Sequence, residues 1–178
     1  NSPRRRILRL IFKLRMVCMI KNILLCCLFV VTYSVFAQDL NRCQNKETKL
    51  YGYCIGNNFV IEAKYNDVLC FPNTPDGIAA VKVGRLWGFI NKQGDYVLEP
   101  QFDEAYIVMN GFARVKKDGK WGFVNDKGVV VVEPQYEDAN NFGSDRKASV
   151  KKFGETSYGY LYYNKEREEI SYRTPKTN

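Results

Sequence analysis

Histidine is absent from all 178 residues, and that absence alone removes much enzyme chemistry. Ser/His/Asp and Cys/His arrangements need an imidazole to take and return a proton near neutral pH, so both are excluded. A zinc site wants four ligands. Of the six cysteines, Cys18, Cys26 and Cys27 fall in an apolar N-terminal stretch, which leaves Cys43, Cys54 and Cys70. No metal set and no cofactor are therefore expected. No apolar run approaches the roughly 20 residues of a membrane span; the longest, residues 23–36, has 14. A phosphate loop is missing too, since Gly119-Lys120 has neither the preceding glycine pattern nor a following Ser or Thr.

An excess of positive charge is also missing where it would count. The whole chain is +8, but residues 1–37 hold seven basic and no acidic side chains, so residues 38–178 carry 20 Lys and Arg against 19 Asp and Glu. A nucleic-acid binder needs a surplus of cations along a track, and nucleic acid is excluded as a partner. The N-terminal stretch reads as an address. Met19-Ile20-Lys21-Asn22 is a short basic region, residues 23–36 are the apolar core, and Val35-Phe36-Ala37 precedes a cleavage point before Gln38. The expectation is a cleavable signal peptide within a leader at 1–37, with a start at Met16 or Met19. For residues 1–18 the alternative is a cationic amphipathic anchor with Ile7, Leu8, Leu10, Ile11 and Leu14 on one side. Leu24-Leu25-Cys26 lacks the small residues expected before a lipidated cysteine. Once processed, the chain keeps no stable membrane span.

What the chain has is a phrase said four times. Trp87-Gly88-Phe89 returns as Trp121-Gly122-Phe123 after 34 residues, with Tyr51-Gly52-Tyr53 36 residues before and Tyr158-Gly159-Tyr160 37 residues after. Glu99-Pro100 and Glu133-Pro134 follow the two tryptophans at equal distance, and Glu62 and Glu169 answer in the outer copies without the proline. Self-similarity at such a period is the mark of a stacked repeat architecture. Within a copy, Ala113-Arg114-Val115-Lys116 alternates as a half-exposed strand does. Asp118-Gly119 suits a type I′ reversal. Trp121, Phe123 and Asn125 share one face of the next strand and Gly122 and Val124 the other, the glycine leaving room beside a neighbouring backbone. A third strand over 129–132 is expected to end at Pro134, and 135–141 to be a loop or a helical turn.

The residues Gly111-Phe112-Ala113-Arg114-Val115 and Gly119-Lys120-Trp121-Gly122-Phe123 resemble the WG-repeat family of bacterial proteins, over about residues 49–173. The resemblance implies an all-β array of three-stranded antiparallel meanders and implies no activity. The organisation expected is a linker or N-terminal cap at 38–48, and four units at about 51–86, 87–120, 121–157 and 158–173. A tail follows at 174–178. The first unit, with no strand before Leu50, is an entry cap; the fourth, polar in its third strand, is an exit cap.

Three further readings concern chemistry. Glu62, Glu99, Glu133 and Glu169 could supply paired carboxylates for glycoside hydrolysis, but acids that recur once per repeat point to a structural duty, a strand-end carboxylate accepting backbone N–H bonds. A Cys43–Cys54 bridge would pin the start of the array, with Cys70 buried as a small hydrophobe. Tyr160, Tyr162, Tyr163 and Tyr172 are denser than the register demands and form a candidate binding strip. The function expected is an exported, non-catalytic β-repeat scaffold, in the periplasm, at the cell surface or outside, which contacts an unknown protein or envelope glycan. A glycan- or peptidoglycan-binding module using exposed tyrosines is the alternative, and a carboxylate-based glycosidase the third. Coplanar exposed rings would favour a glycan, whereas a scaffold buries its rings between units.

Overall fold

Short alternating segments separated by tight turns can bury one face only by pairing locally and then stacking, and this is how the chain folds. The computed structural model describes residues 40–174; the leader at 1–37 and residues 175–178 of the tail lie outside the described residues. Strands β1 (Asn41–Gln44), β2 (Tyr51–Ile55) and β3 (Asn58–Tyr65) form a three-stranded sheet. Strands β4 (Asp67–Val68), β5 (Ala79–Val83), β6 (Leu86–Ile90) and β7 (Tyr96–Phe102) form the second sheet, in that order. The third holds β8 (Glu104–Ala105), β9 (Phe112–Lys117), β10 (Lys120–Asn125) and β11 (Val130–Tyr136). The fourth holds β12 (Asp138–Ala139), β13 (Lys147–Lys151), β14 (Gly159–Asn164) and β15 (Glu169–Arg173). All pairings are antiparallel.

The fold class is all-β, with sheets of three to four strands. Three details differ from expectation. Each connector contributes a two-residue strand that pairs near the end of the next unit's first long strand, as Asp138 and Ala139 do with Lys151 and Val150; the stretch read as loop or helical turn therefore adds a fourth, edge strand. The entry unit does have a leading strand, because β1 pairs with β2 where the other units use their first long strand. Pro100 and Pro134 do not end a strand but lie inside β7 and β11. Trp121 pairs with Tyr136 and Phe123 with Val132, so two extra residues of β11 stand opposite Gly122, and proline tolerates that bulge because it needs no ladder donor there.

The bulge explains the glycine of the repeated phrase. A Cβ on Gly122 would lie 2.5 Å from the Val132 oxygen and 2.7 Å from the Pro134 nitrogen, and one on Gly88 2.6 Å from the Leu98 oxygen. The third strand crosses so close that only glycine fits beneath it. Elsewhere the turns follow their chemistry: Asp118 and Gly119 have φ of +50° and +74°, both positive as a type I′ hairpin requires.

The sheets stack face upon face, large rings against small aliphatics. Tyr53, Ile61 and Tyr65 of the first sheet pack on Val68, Ala79, Val81 and Ile90 of the second. Trp87, Phe89 and Phe102, on the opposite face of the second sheet, pack on Ala105, Ala113, Val115 and Val124 of the third. Trp121, Phe123, Val132 and Tyr136 repeat the pattern against Ala139, Ala148, Val150 and Leu161 of the fourth. Burying a ring such as Phe89 or Phe123 contributes about 2–3 kcal/mol. Each junction thus consumes the aromatic face of one sheet and the aliphatic face of the next.

Candidate interaction surface

A stack built this way leaves two faces that no described residue covers, and the two ends treat theirs differently. On the first sheet the outward face carries Asn41, Cys43, Gly52 and Cys54, as the pairings Asn41 with Cys54 and Cys43 with Gly52 require. Cys43 and Cys54 are joined in a disulfide, Cα atoms 6.0 Å apart. The covalent bond takes the place of a neighbouring sheet. Cys70 is exposed rather than buried: β4 ends at Val68, which takes the inward position, and Cys70 follows in the connector.

On the fourth sheet the outward face is the one that elsewhere stacks. Lys147 pairs with Tyr162 and Ser149 with Tyr160, and Tyr160 and Tyr162 pair onward with Arg173 and Ser171. In the third sheet the corresponding pairs are Phe112 with Asn125 and Arg114 with Phe123, with Val132 beyond. Core positions held there by Phe112, Phe123 and Val132 are thus occupied on the exit face by Lys147, Tyr160 and Arg173. Tyr158 replaces the tryptophan, lies exposed, and donates to Asp138 Oδ2 at 2.5 Å. That bond to a carboxylate, which would meet a phenolate with repulsion, holds the phenol's pKa above its usual value.

The tyrosine strip is therefore two surfaces. Strand alternation sends Tyr160 and Tyr162 outward, while Tyr163 and Tyr172 join Leu161 and Ile170 against the third sheet. Tyr163 meets Phe112 edge-on at 4.8 Å, and Tyr172 stacks on Tyr136 at 6.4 Å. Tyr172 also covers Gly159, doing with a ring what the Glu-Pro bulge does over Gly88 and Gly122. The outward pair is not a flat platform: the Tyr160 and Tyr162 rings are tilted 58° at 6.4 Å. Cations lie over Tyr162, with Arg173 4.8 Å and Lys147 5.5 Å from its centroid.

Beside these rings a groove of about 620 Å³ is lined by Arg146, Tyr162, Lys165, Arg167 and Arg173, together with Glu166 and Glu169. Arg146 has φ of +61°, in the register where the third sheet has Gly111 at +88°. A second groove of about 860 Å³ opens between β11 and the last hairpin, with Val129, Val131 and Ile170 among its walls. It exists because the last hairpin is built differently. Gly94 and Gly128 bring the earlier hairpins against Ile61 and Val97 of the preceding sheet, but the last carries Glu168 at that place, with φ +51°.

The two tryptophans are nearly buried, Trp87 at 9% and Trp121 at 8% exposure. Arg114 lies between Tyr106 and Trp121, 4.2 and 4.4 Å from the two rings, and donates to the Ala139 carbonyl across the junction. Tyr51 is half-buried under Arg42. The recurrent glutamates are not brought together. Glu62, Glu99, Glu133 and Glu169 are exposed, one on the third long strand of each sheet, and their carboxylates accept no hydrogen bond among the described residues. The structural duty expected of them falls to other residues. Asp103 accepts from the Asp118 amide and Asn66 from that of Gly84, while Asp67 and Asp138 accept from the amides that follow them. Asn91, Asn125 and Asn164 hold the hairpins through side-chain oxygens that accept two backbone amides each. Sequence reasoning put Asn125 at a turn and on the tryptophan's face without assigning it this duty, although Asn91 and Asn125 recur four residues after each tryptophan.

Among the described residues no group of three or more Cys, Asp or Glu side chains is placed to hold a metal ion, and no helix is long and apolar enough to cross a membrane. No curated protein and no solved structure matches the chain. A family model described as WG containing repeat matches it three times in tandem, over residues 56–87, 87–121 and 121–154. Those matches span more than half of the sequence, and the chain belongs to the WG-repeat family, whose architecture is consistent with a non-catalytic interaction or scaffold module.

Proposed function

We propose that this is an exported, non-catalytic β-repeat scaffold that meets a partner protein with the outward face of its last sheet. One observation carries the reading. The face that stacks at every internal junction is covered by no described residue on the last sheet, and it keeps exposed rings at Tyr158 and Tyr160 among the cations Lys147 and Arg173. A cap needs only polarity, which Ser, Thr or Glu supply without large rings. Tyrosine and arginine are the residues that protein interfaces favour. Export is supported by the leader pattern over 16–37 and by the Cys43–Cys54 bond, since disulfides persist in oxidising compartments; the periplasm, the cell surface and the exterior all fit.

The same rings raise the glycan-binding alternative. A sugar ring wants a free, flat aromatic face, whereas Tyr160 and Tyr162 are tilted 58° and Tyr162 already has Arg173 and Lys147 over it. That geometry favours the protein. Crosslinking the full chain in its native envelope tests the choice: a protein adduct mapped to residues 147–173 is expected. Adducts confined to the entry sheet at 41–65, or retention of the chain by purified peptidoglycan alone, would refute it.

A further inference from the structure

Resting on that reading, we infer that the partner presents an extended, acidic peptide segment, and that the groove at Arg146, Tyr162 and Arg173 is its seat. Charge points to the acid. The groove is lined by four cations, Arg146, Lys165, Arg167 and Arg173, against two acids, Glu166 and Glu169, and Lys147 adjoins it over the ring of Tyr162. Lys147 is shared with Asp145 at 3.3 Å in an exposed pair, whereas Arg146, Arg167 and Arg173 make no ion pair with any described carboxylate. Two like charges, Lys147 and Arg173, converge on one ring, and an anion set between them relieves their repulsion.

Backbone geometry points the same way. Arg146 holds φ of +61° where the third sheet has a glycine. A left-handed conformation costs a non-glycine residue stability, and the glycines at that register in the second and third sheets, Gly77 and Gly111, show that the fold does not need arginine there. The side chain supplies what the backbone gives up, a guanidinium at the groove's edge able to grip a carboxylate with two hydrogen bonds. Extension follows from β15, the terminal strand of its sheet, whose outer edge has backbone donors and acceptors to offer an added strand. Glu169, Ser171 and Arg173 alternate outward along it, so carboxylates near its Arg173 end are matched and those near Glu169 are not.

The test uses the processed chain from Gln38 onward with fluorescein-labelled octaglutamate, read by anisotropy at low salt, because the seven basic side chains of residues 1–37 would bind the same probe. Octaglutamate should bind, and added salt should weaken it as screening sets in. Arg146→Gly combined with Arg173→Gln should weaken it about tenfold, two exposed charge contacts being lost. Lys46→Gln, an equal loss of charge at the entry end, should leave it within twofold. Arg146→Gly should also melt no lower than the parent, because glycine suits the backbone better. If that variant does melt lower, Arg173→Gln alone, which touches no strained backbone, decides: weakened octaglutamate binding upholds the groove and unchanged binding overturns the inference. Absence of octaglutamate binding by the parent, or equal weakening by Lys46→Gln, overturns the acidic chemistry while the crosslinked protein adduct could still stand. Tenfold tighter binding of polygalacturonate than of octaglutamate would give the groove to an acidic glycan and overturn the peptide.

Discussion

Gly122→Ala isolates the contact that makes the repeated phrase what it is. The added methyl carbon would stand 2.5 Å from the Val132 oxygen, 2.7 Å from the Pro134 nitrogen and 3.0 Å from the Glu133 carbonyl carbon. All three atoms are backbone, so no side chain can swing aside; β11 must lift from β10 or the sheet must shear. Inserting a methyl into a filled core costs typically 1–3 kcal/mol, and with three rigid neighbours the cost should lie near 3 kcal/mol. For a domain of this size each kcal/mol lowers the melting temperature by about 3–5 °C, so a fall of roughly 10 °C or more is expected. Gly119→Ala is the control. Nothing lies within 4 Å of its added carbon, and its φ of +74° gives only backbone strain, about 1 kcal/mol. Thermal unfolding followed by circular dichroism should therefore rank Gly122→Ala well below Gly119→Ala, and Gly88→Ala beside Gly122→Ala. Equal melts for Gly122→Ala and Gly119→Ala would refute the argument that the bulged strand forbids a side chain.

Two further outcomes follow from the ends of the stack. Burial pushes the Tyr65 phenol up to about 12 and raises Tyr53, which donates to the Leu69 carbonyl at 2.6 Å, further still. With folded values above the unfolded one near 10, their stabilisation is complete below pH 10 and lost as pH climbs through about 12. Tyrosinate absorbance should show most phenols ionising near pH 10 and a late fraction appearing only with loss of the β signal, and a single early wave with the β signal intact would contradict the packing at Tyr53 and Tyr65. At the other end, Lys147→Phe, Tyr160→Phe and Arg173→Val together restore the apolar register of Phe112, Phe123 and Val132. The exit face should then become adhesive and the protein self-associate in light scattering, while a monomer as stable as the parent would mean that polarity there has no capping role.

The repeat was legible because it rests on local chemistry: a glycine between two rings, a turn with two positive φ values, and a strict period. Face parity within β10 was legible for the same reason, and Trp121 and Val124 do enter different cores. What the sequence hid was pairing between segments. Pro134 looks like a strand end until Tyr136 is seen opposite Trp121, and the Asp138–Ala139 strand is too short to carry any periodicity. The tyrosine strip divides into two surfaces for a subtler cause. Tyr162 and Tyr163 are adjacent, so one of them had to face inward, and alternation from Leu161 already fixed which. Counting rings gave a density; applying the two-residue period to each would have divided them.

The two ends also give a physical reason why, on the proposed reading, capping and recognition share one surface. A stack of like sheets has one aromatic and one aliphatic face to spare. The aliphatic face at the entry is small, and a disulfide between Cys43 and Cys54 covers it within the chain. The aromatic face at the exit is too broad for that device. It can be kept soluble only by putting hydroxyls and cations where phenylalanine and valine stand elsewhere, and those substitutions leave a rigid surface of phenols and guanidinium groups held at fixed spacing by the strands. Such a surface is preorganised, so a partner that meets it loses little side-chain freedom beyond what the fold has already fixed. The entry face has one large exposed ring, Phe59 opposite Cys54, and no row of phenols and guanidinium groups. An array capped by charge and rings at one end and by a covalent bond at the other has two unlike faces, and the proposed reading puts the partner on the sheet of β12–β15.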